Sequence, residues 1–118
     1  MISIVDDDEL VRTGTVDLLA SLGYSAVAFE SAESFLDSGQ VNDTVCLILD
    51  QHLPGLTGSE LQNQLSIAGS QTAIIFITAF AEPQHRERAL KAGAVAYLAK
   101  PYAATDLIAA LKTALSRR

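Results

Sequence analysis

Three short, predominantly apolar runs, Ile2–Val5, Val45–Leu49 and Ala73–Ile77, each stop abruptly at a polar side chain. Runs of this length and content fit strands buried on both faces, which belong to parallel sheets covered by helices on each side. Between them lie segments of helical period. Leu10, Val11, Val16, Leu18, Leu19 and Leu22 form a stripe that stops at Gly23, the expected C′ residue. Ser31 suits the N-cap of a short helix carrying Phe35 and Leu36. Thr57 and Glu60 match a capping box ahead of Leu61 and Leu65. Pro83 suits the first turn of a helix that closes at Gly93. Leu107, Ile108, Leu111 and Leu115 share one face of a last helix, whose end carries Lys112, Arg117 and Arg118, the sign of charge a C-terminal dipole favours. Two weaker runs, Ser25–Phe29 and Val95–Leu98, complete the alternation of strand and helix.

Five strands alternating with five helices predict an α/β fold of the doubly wound, flavodoxin-like kind. The expected sheet is parallel and five-stranded, in the order 2-1-3-4-5, with right-handed crossovers and helices on both faces. At 118 residues the chain is expected to form one domain spanning 1–118. No apolar run approaches the ~20 residues of a membrane-spanning helix. No basic stretch precedes Met1–Val5, so no secretory signal is expected, and the reading is a soluble cytoplasmic protein. The lone Cys46 excludes an internal disulfide and a thiolate metal site; it reads as a small buried hydrophobe.

Charge is unevenly spread. Residues 1–60 hold eleven acids and one base (Arg12), giving −10, whereas residues 61–118 hold three acids and seven bases, giving +4. Either solvated helix faces simply differ in sign, or the acidic half contains a cation site. No basic stripe interleaved with aromatics appears, so this chain alone is not expected to bind DNA.

Ligands of an open parallel sheet bind outside the carboxyl ends of the strands, where strand order reverses. For this order that point lies between the first and third strands. The residues leaving those strands are Asp6-Asp7 and Asp50; Thr78 and Lys100 leave the fourth and fifth. Carboxylates so close repel one another unless a cation or shifted pKa values relieve them. Magnesium, or manganese in its place, suits such oxygen donors and uses one or two carboxylates plus substrate phosphate. Asp50 is then the candidate nucleophile, with Lys100 and the Thr78 hydroxyl placed to meet other phosphoryl oxygens. Each residue also has an ordinary structural reading: Asp8 and Glu9 cap the first helix, Asp6 and Asp7 could do the same, Lys100 could be a solvated lysine and Pro101 a turn proline. Their arrival together at matching strand ends favours the functional reading.

The ordered set Ile4-Val5-Asp6-Asp7-Asp8, Leu49-Asp50 with Leu53-Pro54-Gly55, Ile77-Thr78-Ala79, and Lys91-Ala92-Gly93-Ala94 leading to Lys100-Pro101 resembles the receiver domains of two-component response regulators. The likeness covers nearly the whole chain. Val5-Asp6-Asp7-Asp8-Glu9, Ser31-Ala32-Glu33-Ser34-Phe35-Leu36 and Phe76-Ile77-Thr78-Ala79 are similar to the nitrogen-fixation regulator (FixJ) type, which joins its receiver to a helix-turn-helix DNA-binding domain. The resemblance implies a C-terminal output domain missing from this chain, with DNA bound only through it, and a sensor histidine kinase that supplies a phosphoryl group to Asp50. It implies a receiver that catalyses only its own phosphorylation and dephosphorylation. Asp7 and Asp50 would ligate Mg2+ through their side chains, Asp6 mainly through water, and His52 through its backbone carbonyl. Pro101 would follow a cis peptide bond that aims Lys100 at the site, and the switch aromatic would be Tyr97.

On that scheme Thr78 moves toward the phosphoryl group and Tyr97 turns inward behind it, reshaping the face of the fourth helix, fifth strand and fifth helix to favour a homodimer. His85, Arg86, Arg88 and Lys91 give that face a basic character. His52 and Phe80, two residues beyond Asp50 and Thr78, flank the expected route of the hydrolytic water, and two rings there predict slow self-dephosphorylation. Leu53 stands where receivers commonly have Met, and Tyr102 where they commonly have Phe. A flavodoxin-like nucleotide binder would need Gly, Ser or Thr after the first strand, where this chain has acids. A haloacid-dehalogenase-type phosphatase would need Asp at position 52. A pure interaction module would not need the full acidic and Lys-Thr set.

Overall fold

The computed structural model describes residues 1–116. Strands and helices alternate as β1 (Ile2–Val5), α1 (Glu9–Ser21), β2 (Ala26–Phe29), α2 (Ala32–Asp37), β3 (Cys46–Asp50), α3 (Gly58–Ile67), β4 (Ala73–Thr78), α4 (Pro83–Lys91), β5 (Ala96–Ala99) and α5 (Ala104–Ser116). The sheet is all-parallel, in the order β2-β1-β3-β4-β5. This is the expected doubly wound α/β topology.

Strand periodicity sorts the helices onto two faces. Ile2, Ile4, Cys46, Ile48, Ile75 and Ile77 pack with Leu19 of α1 and Leu107, Leu111 and Ala114 of α5. The alternate residues Val5, Leu47, Leu49, Ile74, Phe76 and Tyr97 pack with Phe35 of α2, Leu61 and Leu65 of α3 and Ala89 of α4. Both faces of the central strands are therefore dry, which is why their sequences read as unbroken apolar runs. Cys46 is fully buried, and burial pushes its thiol up to about 12, the inert state expected of a core cysteine.

The caps follow the sequence signals. The Asp8 carboxylate accepts from the Leu10 and Val11 amides at the start of α1. Thr57 and Glu60 form both bonds of a capping box on α3, and Pro83 opens α4. Gly23 and Gly93, with φ of 88° and 103°, take the left-handed positions just past α1 and α4 that other residues adopt only with strain. Several expectations differ: Leu22, placed in the stripe of α1, is 40% exposed, and β5 runs one residue later than its expected span. Leu10 is 84% exposed, because it lies in the first turn of α1 beside the cap and outside the buried stripe. The third strand runs one residue later than its apolar run and includes Asp50 itself. The basic pair Arg117-Arg118 lies outside the described residues.

Candidate functional site

Register lines up the carboxyl ends of the strands. Val5 is level with Leu49, so Asp6 leaves β1 beside Asp50, the last residue of β3. Asp50 is in turn level with Ile77, and Thr78 with Ala99, which puts Lys100 just beyond the end of β4. The backbone N–H of Lys100 donates to the Thr78 carbonyl at 2.7 Å, closing that edge. Residues distant in sequence thus meet on one rim.

Asp6 and Asp50 are buried and Asp7 is exposed; one carboxylate oxygen from each lies within 4.8 Å of the others. Lys100 Nζ reaches in between them, 2.8 Å from Asp6 Oδ2 and 3.3 Å from Asp50 Oδ2. The Asp6 contact is an ion pair whose alignment leaves the buried Oδ2 without a hydrogen bond. Asp6 Oδ1 accepts from the Asp8 amide at 2.8 Å, and Asp50 Oδ1 from the His52 amide at 3.0 Å. One ammonium cannot neutralise three carboxylates. Burial, reinforced by the charge of Asp6, pushes the Asp50 carboxyl up to about 6, against the opposing pull of the His52 amide and Lys100. Burial alone would lower the Lys100 ammonium, but Asp6 and Asp50 outweigh it and hold its pKa above the ordinary lysine value. An under-compensated trio of oxygen donors with one oxygen buried and lacking a hydrogen bond fits a hard divalent cation such as Mg2+. The donors present suit that ion.

Thr78 is fully buried, and its hydroxyl accepts from the Phe80 amide at 3.1 Å. Tyr97 is only 8% exposed and packs its ring on Phe76 at 5.8 Å. Its hydroxyl is buried beside Thr78 without a hydrogen bond of ordinary geometry, and burial raises its pKa while the Thr78 hydroxyl opposes the rise. The expected inward turn of Tyr97 therefore finds the ring already inside. The Lys100-Pro101 peptide bond is cis. His85, read from sequence as part of a basic surface, is half-buried and tilts its ring onto His52 at 5.9 Å.

Sequence reasoning did not single out four residues that shape this rim. Arg12 Nη1 donates to the Asp6 carbonyl at 2.8 Å, and its being the only base in the acidic half was the available signal. Glu33 Oε2 accepts from the Leu56 amide at 2.9 Å, tying α2 to the loop after Asp50. Buried Thr15 bonds the Tyr102 hydroxyl at 2.6 Å, tying α1 to the segment after Lys100-Pro101. Gly58 lies against the Asp50 backbone so tightly that a Cβ there would overlap the Asp50 carbonyl oxygen.

Comparison with known proteins agrees with this geometry. The family model described as "Response regulator receiver domain" matches residues 2–112. Nodulation protein W of Bradyrhizobium diazoefficiens is 38% identical over 117 residues, 99% of this chain and 52% of that protein. Transcriptional regulatory protein FixJ of Azorhizobium caulinodans is 34% identical over 116 residues, 98% of this chain and 55% of its own length. This chain thus spans about half the length of the curated relatives it matches. Among solved structures, the one described as FixJ-N superposes with a TM-score of 0.87 at 31% identity, covering 99% of this chain and 94% of that one. The response regulator StyR superposes with a TM-score of 0.90 at 38% identity, covering 98% of this chain and 58% of that one. The protein belongs to the response regulator receiver family, the phosphoacceptor signalling domains of two-component systems, and among them it is similar to the FixJ type.

Proposed function

We propose that this chain is a phosphorylation switch in which Asp50 takes a phosphoryl group from the phosphohistidine of a sensor histidine kinase. The observation that carries the reading is the Lys100 ammonium set between Asp6 and Asp50, with Asp7 completing the acidic cluster. An Asp50 oxygen attacks phosphorus, a P–O bond forms, and the P–N bond to the kinase imidazole breaks with its electron pair leaving on nitrogen. Lys100, already in ion-pair contact with Asp50, neutralises charge on a phosphoryl oxygen, and the Thr78 hydroxyl donates to another. Asp6, Asp7, Asp50 and the His52 backbone carbonyl would hold Mg2+ or Mn2+. Bound there, the ion supplies positive charge that offsets the phosphoryl oxygens.

Phosphorylation adds roughly −1.5 to −2 charge at the rim. Thr78 and Tyr97 relay it to the face of α4, β5 and α5, which controls a homodimer and a C-terminal, DNA-binding output domain in the cytoplasm. The similarity to transcriptional regulatory proteins nearly twice as long supports that output. No helix among the described residues is long and apolar enough to cross a membrane. Receivers are signalling domains, and this one acts on no separate substrate.

Incubation with acetyl phosphate and Mg2+ followed by intact mass tests the proposal. One phosphoryl group should appear on the parent, none on Asp50→Asn, and none on the parent with excess EDTA. Equal labelling of Asp50→Asn would end the assignment of the acceptor.

A further inference from the structure

Two segments fold back over the phosphoacceptor rim in the same way. The His52 amide donates to the Asp50 carboxylate two residues earlier, and the Phe80 amide to the Thr78 hydroxyl two residues earlier. Each turn throws a ring toward the other, and the rings meet edge-on, with centroids 5.5 Å apart and planes at 82°. A third ring joins from a different element. His85, in the first turn of α4, tilts onto His52 at 5.9 Å and 60°, and its Nδ1 is buried with no partner among the described residues. The contact that the His85 ring shows toward the rim is therefore packing against His52 and not a hydrogen bond through Nδ1. Phe80 is 65% exposed and His52 is also exposed, so the three rings form a surface cluster beside the rim, not part of a core.

We infer that His85 locks this cluster in place, so that the lifetime of a phosphoryl group on Asp50 depends on the position of α4. The inference rests on Asp50 being the phosphoacceptor. Loss of the group requires a water oxygen to attack phosphorus from the solvent side; the P–O bond to Asp50 breaks, the carboxylate is released, and the water's protons pass to the departing phosphate and to solvent. On this inference the approach passes His52 and Phe80, two residues beyond Asp50 and Thr78, and their rings obstruct it only while they stay together. His52 is exposed and in a loop, so its ring would otherwise turn freely. The ring of His85 restrains it from one side, as Phe80 does from another. An element of the proposed signalling face thereby also guards the signal, and His85 is a positioning residue that works through His52.

The test follows the first-order loss of the phosphoryl group by intact mass after acetyl phosphate is removed, in the parent, His85→Ala, His85→Gln, His85→Phe, His52→Ala and the His52→Ala/His85→Ala pair. His85→Ala and His85→Gln should lose the group roughly three- to tenfold faster, up to about 1.4 kcal/mol in the barrier. His85→Phe, which keeps a ring, should retain the parental lifetime. The double variant should be no faster than His52→Ala alone, because the route runs through one ring. Thermal melts run beside these separate a changed lifetime from a changed fold, and should His85→Ala melt early, the Gln and Phe variants carry the comparison. Parental lifetimes in both ring-less variants, or full additivity in the double variant, would overturn the inference and leave the acceptor assignment intact. A parent that takes up no phosphoryl group would overturn both.

Discussion

Gly58 shows how narrowly the acceptor is placed. The first residue of α3 approaches the end of β3 so closely that a methyl group would overlap the Asp50 carbonyl oxygen and press on Gln51 Cα and Phe76 Cε1, at 3.0 and 3.1 Å. All three are parts of buried residues that cannot swing away. Gly58→Ala should therefore cost about 1–3 kcal/mol by urea denaturation and slow labelling by acetyl phosphate, since the backbone carrying Asp50 must shift. Gly14 makes the contrast. It lies in the middle of α1 with nothing within 4 Å of where its Cβ would be. Gly14→Ala should stabilise by about 0.5–1 kcal/mol without altering labelling. If both substitutions behave alike, close packing at Gly58 is not what holds Asp50. This distinction was not legible in the sequence, where both are single glycines. Tyr102 is similar: as a letter it is a conservative replacement for Phe, whereas in the fold its hydroxyl bonds a fully buried Thr15. By contrast Asp6, Asp7, Asp50, Thr78 and Lys100 could be picked out, because polar residues ending apolar runs are visible without coordinates.

Elements were legible in proportion to how completely they are buried. β1, β3 and β4 lie in the interior of the sheet, and their apolar runs placed them to within a residue. β2 and β5 are the edge strands, partly exposed, and their mixed sequences gave only weak signals. Helix starts were readable wherever a side chain closes the turn, and α3 is the best case. Its Thr57 hydroxyl accepts from Glu60 N and its Glu60 carboxylate from Thr57 N. Thr57→Ala should cost about 1 kcal/mol, and because α3 begins against Asp50 this cost falls on the site as well. The Thr57 backbone hydrogen bond, followed by the Thr57 hydroxyl, lowers the Glu60 pKa below the ordinary glutamate value. A carboxyl depressed in the folded state adds stability above its unfolded pKa and loses it as pH falls through the folded one. The stability gap between the parent and Glu60→Ala should therefore shrink on acidification through the glutamate range, as followed by urea midpoints. A gap that is constant with pH would mean that the charged form of Glu60 adds nothing to the cap. What remained hidden at this scale was the rotation of α4, which decides that His85 meets His52.

For the whole molecule, a charge imbalance visible in the sequence becomes a local strain at one end of the sheet. The fold gathers Asp6, Asp7 and Asp50 around one ammonium, with the Arg12 guanidinium held on the Asp6 carbonyl and not on a carboxylate, so without a divalent ion the rim is under-neutralised. Asp50, raised to about 6 from 3.8, binds its proton more tightly folded than unfolded. Its protonated form therefore supports the fold fully below the unfolded pKa, and that support is lost as pH rises through about 6. At neutral pH without divalent ions its carboxylate burdens the fold, and Asp50→Asn should melt at a higher temperature than the parent in EDTA. Mg2+ should reverse the order. A ligand bound only by the folded state at a hundred times its Kd contributes about 2.7 kcal/mol, which for a domain of this size raises Tm by roughly 10 °C. Asp50→Asn, lacking one carboxylate, should gain much less. Thermal melts of the two proteins at neutral pH, in EDTA and in saturating Mg2+, therefore give four temperatures whose pattern is fixed in advance. A parent already more stable than Asp50→Asn in EDTA would show that Lys100 alone suffices to neutralise the rim. A parent indifferent to Mg2+ would mean that the acidic cluster is not a cation site, whatever the sheet's topology suggests.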